Sequence, residues 1–419
     1  MIEQLNILLF DVDGVIVDPL AYKAGVMKTL QLLCSAIGLY AREDLLPTHS
    51  DIAFMEAQGI HDVWDMSNII FALLLLAFFD ELREAERLFK FASTDTQCML
   101  KELATRKSKI ARPDYVAFAT RLSAPSGPSH PPDLALQIIA PAVAGHGEIS
   151  EQWLKLLRSF LIGTRSAYES YGTRIFQNII LGSAEFENTY GLESAYEGPS
   201  LLRTEDQVLF NATSLRKIRT LSQRDDIRIA IYTARPSYPP PDAETTRGYS
   251  PEAEIALDAA GLQAFPLVGM GMMEWLAARH NERTEELTKP NTTHSLSALI
   301  AALRRNNESH LLELAHSINH ELQLFVPELK SLARKVCVFV FEDTVSGIKP
   351  LQVLAEKLNA LGAEIEICAL GIAMDIEKKK SLTPLCRGVF DDVNQALDFA
   401  TQFLEQAASH DSDEHKAGR

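Results

Sequence analysis

The sequence predicts an α/β protein: a Rossmann-like doubly wound parallel sheet, interrupted after its first strand by a large, mainly α-helical insertion. Three observations predict it. Short runs that are apolar on both faces recur at residues 7–10, 228–232 and 336–341, each followed at once by polar residues. Such strands suit a parallel sheet covered by helices on both sides. Helical periodicity dominates residues 20–205, which is too much chain for a crossover between two strands. Strand-like and helix-like segments then alternate, the order of an α/β fold.

Bulk composition narrows the classes. With 419 residues, 47% hydrophobic and 23% charged, the chain has material for two domains with their own cores, and is neither disordered nor fibrous. A net charge of -16 gives no basic footprint for nucleic acid or an anionic membrane. Cys34, Cys98, Cys337, Cys368 and Cys386 are scattered and lack zinc-site spacing, which fits reduced thiols in a cytoplasmic protein. The apolar run Ile69 to Phe79 falls short of the roughly 20 residues of a bilayer span and reads as a buried helix. No basic segment precedes the first apolar run, so a signal peptide is not expected.

Taken in order, the first strand ends at Phe10, and helical periodicity covers Ala21 to Ile37, Ser67 to Leu103 and Ser150 to Leu181. Residues 111–149 break that pattern with Pro125, Gly127, Pro128, Pro131 and Pro132 and read as a mobile excursion. Further strands are expected at Arg228 to Tyr232, Ala264 to Val268, Val336 to Phe341 and Ala363 to Leu370. Pro236 to Ser250 reads as irregular. The helical stretch from His294 to Leu332 is read as support for the insertion or as a homodimer contact. The expected division is 1–19 with 206–405 as the sheet domain, 20–205 as the helical domain, and 406–419 as a disordered tail.

The chemistry begins at Asp11-Val12-Asp13-Gly14, two aspartates just past a buried strand, with a glycine that permits a turn. A bare pattern of this kind serves equally as a turn in which Asp11 caps the next helix. A calcium loop does not fit, because Val15 and Val17 stand where oxygen ligands are needed.

Asp11-Val12-Asp13-Gly14-Val15 after a hydrophobic strand resembles the first motif of the haloacid dehalogenase (HAD) superfamily, and three further segments follow in that family's order. Ile229-Ala230-Ile231-Tyr232-Thr233-Ala234-Arg235 resembles the second motif, Lys289-Pro290 the third, and Phe341-Glu342-Asp343-Thr344-Val345-Ser346-Gly347-Ile348 the fourth. The last is similar to the phosphoglycolate phosphatase and β-phosphoglucomutase branch. The resemblance implies a HAD core with an inserted helical cap, and a phosphoric monoester hydrolase that uses Mg²⁺.

Within that resemblance Asp11 is the nucleophile that forms an aspartyl-phosphate, and Asp13 protonates the leaving oxygen and then accepts a proton from water. Thr233, through hydroxyl and backbone amide, and Lys289 hold the transferring oxygens. Asp11, the carbonyl of Asp13, and Asp343 are the implied metal ligands, with Glu342 as a further ligand or a group behind them. Gly14, Ala234 and Arg235 are implied around the substrate. An acid at Asp13 favours phosphate esters over C–Cl or C–P cleavage.

In the insertion, Gly59-Ile60-His61-Asp62-Val63-Trp64 resembles a segment in the caps of some HAD phosphatases, which makes His61, Asp62 and Trp64 candidate substrate contacts. The alternative is that Trp64 packs inside the domain while Asp65 or Ser67 caps a helix. The expected partner is a small phosphorylated metabolite, without nucleic acid or membrane. A phosphomutase of the same branch is the nearest alternative reading, and a non-catalytic protein of the fold a more distant one.

Overall fold

The structure, a computed structural model, describes residues 2–106, 108–123 and 130–417. Of the expected excursion, Pro125, Gly127 and Pro128 lie outside the described residues, whereas Pro131 and Pro132 open the helix Pro131–Ile139. The chain divides into two compact units, Met1–Pro19 with Asp206–Arg419, and Leu20–Glu205.

The first unit has the α/β fold expected from the sequence. Its strands are β1 (Ile2–Phe10), β2 (Val17–Asp18), β3 (Gln207–Val208), β4 (Ile227–Tyr232), β5 (Leu267–Val268), β6 (Ala333–Glu342), β7 (Ile365–Ile372) and β8 (Gly388–Phe390). Six of them form one sheet in the order β5-β4-β1-β6-β7-β8, all parallel. From β1 the chain builds outward through β4 and β5, then returns to build outward through β6, β7 and β8. The order therefore reverses between β1 and β6, the point at which open parallel sheets bind ligands outside the carboxyl ends of their strands. The remaining pair, β2 with β3, is an antiparallel ribbon where the chain leaves this unit and returns to it.

Alternation along the strands fills both faces. Leu5, Ile7 and Leu9 of β1, with Val336, Val338 and Val340 of β6, pack under helices Met270–His280, Thr292–Arg304, Ser309–His320 and Val345–Ala360. Leu8 and Phe10, with Ile229, Ile231, Phe339 and Phe341, pack under helices Ala212–Ser222, Glu252–Ala260 and Val393–Ala417. The stretch expected to support the insertion or a dimer instead belongs to the core of the sheet unit: Leu296, Leu299, Ile300, Leu311 and Leu312 are buried in the first of these clusters. Apolar residues there recur at helical spacing, which makes it a packed layer rather than an accessory. The helix that begins at Val393 runs to Ala417 and so takes in residues 406–417 of the tail expected to be disordered, with no glycine or proline before Gly418.

The second unit is helical. The apolar run at residues 69–79 is the centre of a longer helix, Val63–Glu84. By length and composition this helix could cross a membrane, with a mean hydropathy of 1.7 over its most apolar window, but 78% of that window is buried inside the protein. The periodic stretches expected at 67–103 and 150–181 are each two helices, Val63–Glu84 with Thr96–Ala104, and Glu148–Leu161 with Tyr171–Leu181. Asn68 fastens the unit from within, donating to the carbonyl of Trp64 at 2.8 Å and to Thr173 Oγ1 at 3.0 Å while accepting from Ser170 Oγ at 3.2 Å. Satisfied on all sides, this buried amide fixes the register of two helices.

Trp153 is buried between Phe79 and Phe91, with ring centroids at 5.2 and 5.5 Å, and its indole N–H has no partner among the described residues. Trp153→Ala should therefore destabilise the helical unit by about 3–5 kcal/mol. Trp153→Phe, which removes the unpaired N–H along with part of the ring, should cost less than half of that. Urea unfolding followed by circular dichroism checks the pair, and equal losses would contradict this account of the site.

Candidate active site

Asp11 follows β1 and Glu342 ends β6, so the sheet places them side by side at the point where its order reverses. One carboxylate oxygen each from Asp11, Glu342 and Asp343 lie within 4.8 Å of one another. Two glycines make this crowding feasible. Gly14 turns the chain at a φ of +73°, and a Cβ there would stand 2.4 Å from Asp343 Oδ2. At Gly347 a Cβ would stand 2.0 Å from Glu342 Oε2.

Lysines answer the negative charge. Lys289 Nζ lies 3.0 Å from Asp11 Oδ1 and 2.9 Å from Glu342 Oε2, and 3.6 Å from the centre of the Tyr232 ring. Lys378, just past the carboxyl end of β7, pairs with Asp343. Burial pushes Asp11 well above the ordinary carboxyl range and Glu342 adds to it, while Lys289 pulls the other way. Burial lowers Lys289, but Asp11 and Glu342 outweigh it, so the ammonium stays charged. Burial also lifts Asp343, to about 6, against the pull of Lys378. Two ammonium groups thus face three carboxylates. Asp11, Glu342 and Asp343 are a set of hard oxygen donors that could hold a divalent cation.

The groups behind this centre are closely held. Glu342 accepts from the Tyr232 hydroxyl at 3.1 Å and from Thr344 Oγ1 at 2.7 Å, besides Lys289, so both of its oxygens are engaged. That arrangement suits the group that aims Lys289 more than a ligand of its own. His294 is buried, accepts from the Lys289 amide at Nδ1 (3.2 Å) and donates from Nε2 to the Val268 carbonyl (3.1 Å). Burial, with Lys289 beside it, lowers His294 to about 3, which keeps the imidazole neutral.

The segment after β4 differs from its reading in sequence. Thr233 is buried, but its amide donates to the Val268 carbonyl at 3.0 Å and so continues the sheet. Its Oγ1 accepts from the Arg235 amide at 3.1 Å, which leaves the hydroxyl proton to a ligand. Ala234 is exposed. Arg235, expected beside the substrate, has a fully buried side chain bonded to Asp13 and Asp206. Nor does Asp11 cap a helix, since its side chain is taken by Lys289 and the next helix begins only at Leu20.

His61, Asp62 and Trp64 belong to the helical unit. Asp62, rather than Asp65 or Ser67, caps the helix Val63–Glu84, its Oδ1 accepting from the amides of Trp64 and Asp65 at 2.8 and 3.3 Å. Arg165 pairs with Asp62 at 3.0 Å and lies over the Trp64 ring. Trp64 is buried and His61 exposed. Asp65 instead accepts from Thr164 Oγ1 at 2.6 Å and pairs with His130 at 3.2 Å.

Lys378, Asp206 and His294 were missed in sequence. The run Lys378-Lys379-Lys380, eight residues past the end of the expected strand 363–370, was a usable signal for Lys378. Asp206 had none, because its partner Arg235 is distant in the chain, and the burial that gives His294 its role is set by the packing around it, although Lys289 is only five residues away.

No family model matches this chain, and no curated protein matches it. A crystal structure known as Northeast Structural Genomics Consortium target ZR25 is similar, with a TM-score of 0.63 and 15% identity over 97% of this chain and 100% of the other. That likeness shows the fold.

The raised Asp343 has a consequence for stability. Its folded-state pKa of about 6 lies above its ordinary 3.8, so its contribution is full below about pH 4 and is lost as pH rises through 6. In EDTA at pH 8, Asp343→Asn should be more stable than the native protein by roughly 1–3 kcal/mol, with the gap closing toward pH 4. Thermal unfolding of both proteins at the two pH values measures this, and a gap that did not change with pH would refute the assignment.

Proposed function

We propose that the protein is a Mg²⁺-dependent phosphatase of the HAD superfamily, which hydrolyses a small phosphate monoester through an aspartyl-phosphate on Asp11. The carrying observation is the meeting of Asp11, Lys289, Glu342 and Asp343, from three distant parts of the chain, at the reversal point of a parallel sheet. They are the residues on which the family resemblance rests.

The chemistry follows from the side chains. A phosphate dianion is repelled by three carboxylates, so positive charge must accompany it. The metal would be held by Asp11, Asp343 and the carbonyl of Asp13, and would neutralise phosphate charge as the nucleophile approaches. Lys289 offsets the charge of Asp11 and of the transferring group. The Thr233 hydroxyl and the Ala234 amide serve the phosphate oxygens, in place of the Thr233 amide that the sheet has taken. Asp13, with a third of its side chain exposed, carries the proton to the leaving oxygen and back from water. The helical unit stands in the sequence where the family carries its cap, and a cytoplasmic setting fits the scattered free cysteines.

The test is turnover. With Mg²⁺ the purified protein should hydrolyse p-nitrophenyl phosphate, EDTA should stop it, and Asp11→Asn should lower kcat by on the order of 10³-fold or more with an unchanged circular dichroism spectrum. Activity that survived Asp11→Asn would exclude the nucleophile and with it the reading. A screen of sugar phosphates, phosphoglycolate and nucleotides then identifies the ester.

A further inference from the structure

We infer that Arg235 is a positioning residue for proton transfer: anchored on Asp206, it pins one oxygen of Asp13 and so leaves the other to exchange the proton with the reacting oxygen. The inference rests on the phosphatase reading above.

The geometry is one-sided. Arg235 Nε and Nη2 both donate to Oδ1 of Asp13, at 3.0 and 2.5 Å, and no hydrogen bond to Oδ2 occurs among the described residues. On its far side the guanidinium is fixed by Asp206 Oδ2, which accepts from Nη1 and Nη2 at 3.0 Å each, and by the Glu252 carbonyl 3.4 Å from Nη1. The Arg235 side chain is 0% exposed and that of Asp206 5%, against 33% for Asp13. The anchor is thus buried, and the open part of the triad is the carboxyl group of Asp13.

An arginine stays protonated and only donates, so whichever Asp13 oxygen it holds must be an acceptor in every state of the group. In the acid form Oδ1 is therefore the carbonyl oxygen and the proton sits on Oδ2. In the first step Asp11 forms a bond to phosphorus, the ester P–O bond breaks, and the Oδ2 proton passes to the departing oxygen, leaving Asp13 a carboxylate. In the second, water attacks phosphorus, gives a proton to Oδ2 and breaks the bond to Asp11, which releases phosphate and restores the acid. Arg235 neither gains nor loses a proton in either step. The backbone closes the same circuit: Gly14 N–H donates to the Val17 carbonyl at 2.7 Å, Val17 pairs with Val208 in the ribbon, and Asp206 immediately precedes that ribbon. Asp13 is held from both ends.

Protonation of the leaving oxygen matters for a poor leaving group and little for a good one, and this separates positioning from mere support. In Arg235→Lys, which offers one donor atom in place of a fork, kcat/KM for phenyl phosphate should fall by about 10²-fold, while that for 2,4-dinitrophenyl phosphate falls less than about fivefold. Asp206→Asn, which leaves both Arg235 and Asp13 in place, should show the same selectivity at about tenfold, and it carries the test if the Arg235 variant does not fold. Equal losses on the two esters, or no loss on either, would overturn the inference. If instead the native protein hydrolyses neither ester, or Asp11→Asn keeps its activity, the phosphatase reading itself fails.

Discussion

Three carboxylates share a space a few ångströms across at the reversal point of the sheet, and much of the first unit's local architecture answers the repulsion among them. Desolvated anions cost several kcal/mol each unless they are paired. The protein pairs them incompletely, with Lys289 between Asp11 and Glu342 and Lys378 on Asp343. The remaining features serve the lysines and the close approach. Tyr232 lies under Lys289 and donates to Glu342, neutral His294 takes the Lys289 amide, and glycines stand where a methyl group would collide with Asp343 or Glu342. A parallel sheet suits this task because strands distant in sequence deliver their carboxyl ends to one edge.

What could be read in the sequence follows from the range of the forces involved. β1, β4 and β6 stand out because burial on both faces gives them apolar runs at their carboxyl ends. β8 and the β2–β3 ribbon are two or three residues long and carry no pattern. Helix ends near 85–95 and 162–170 stayed hidden, since apolar residues lie on either side of both breaks at spacings that suit one continuous helix. In the site, Asp11, Glu342 and Asp343 were legible because an acid directly after a buried strand is a local event. Lys289 was legible only through a resemblance. The partners of Arg235 were not legible at all: its place beyond β4 suggested a substrate contact, whereas the direction of its side chain depends on Asp206 and Asp13, both remote in the chain.

The helical unit follows another logic, in which buried polar groups act as fasteners. Asp62 caps a helix and Asp65 and Asn68 tie that helix to its neighbours, so the carboxylates of Asp62 and Asp65 and the amide of Asn68 are engaged by backbone amides, hydroxyls and Arg165. Such groups contribute register more than stability, because an unsatisfied polar group in a core is costly and a misaligned helix would leave several.

β1 lies at the middle of the sheet, and its two partners are β4, which begins at Ile227, and β6, which begins at Ala333. During synthesis from the amino terminus, its apolar residues and open backbone edges emerge long before either partner exists. The helical unit, complete by Glu205, is available to fold first, while β1 waits as an unpaired strand. The centre of the finished sheet is thus a strand that the nascent chain carries with both edges unpaired. Placing an insertion after the first strand sets how long the growing chain must be shielded from aggregation.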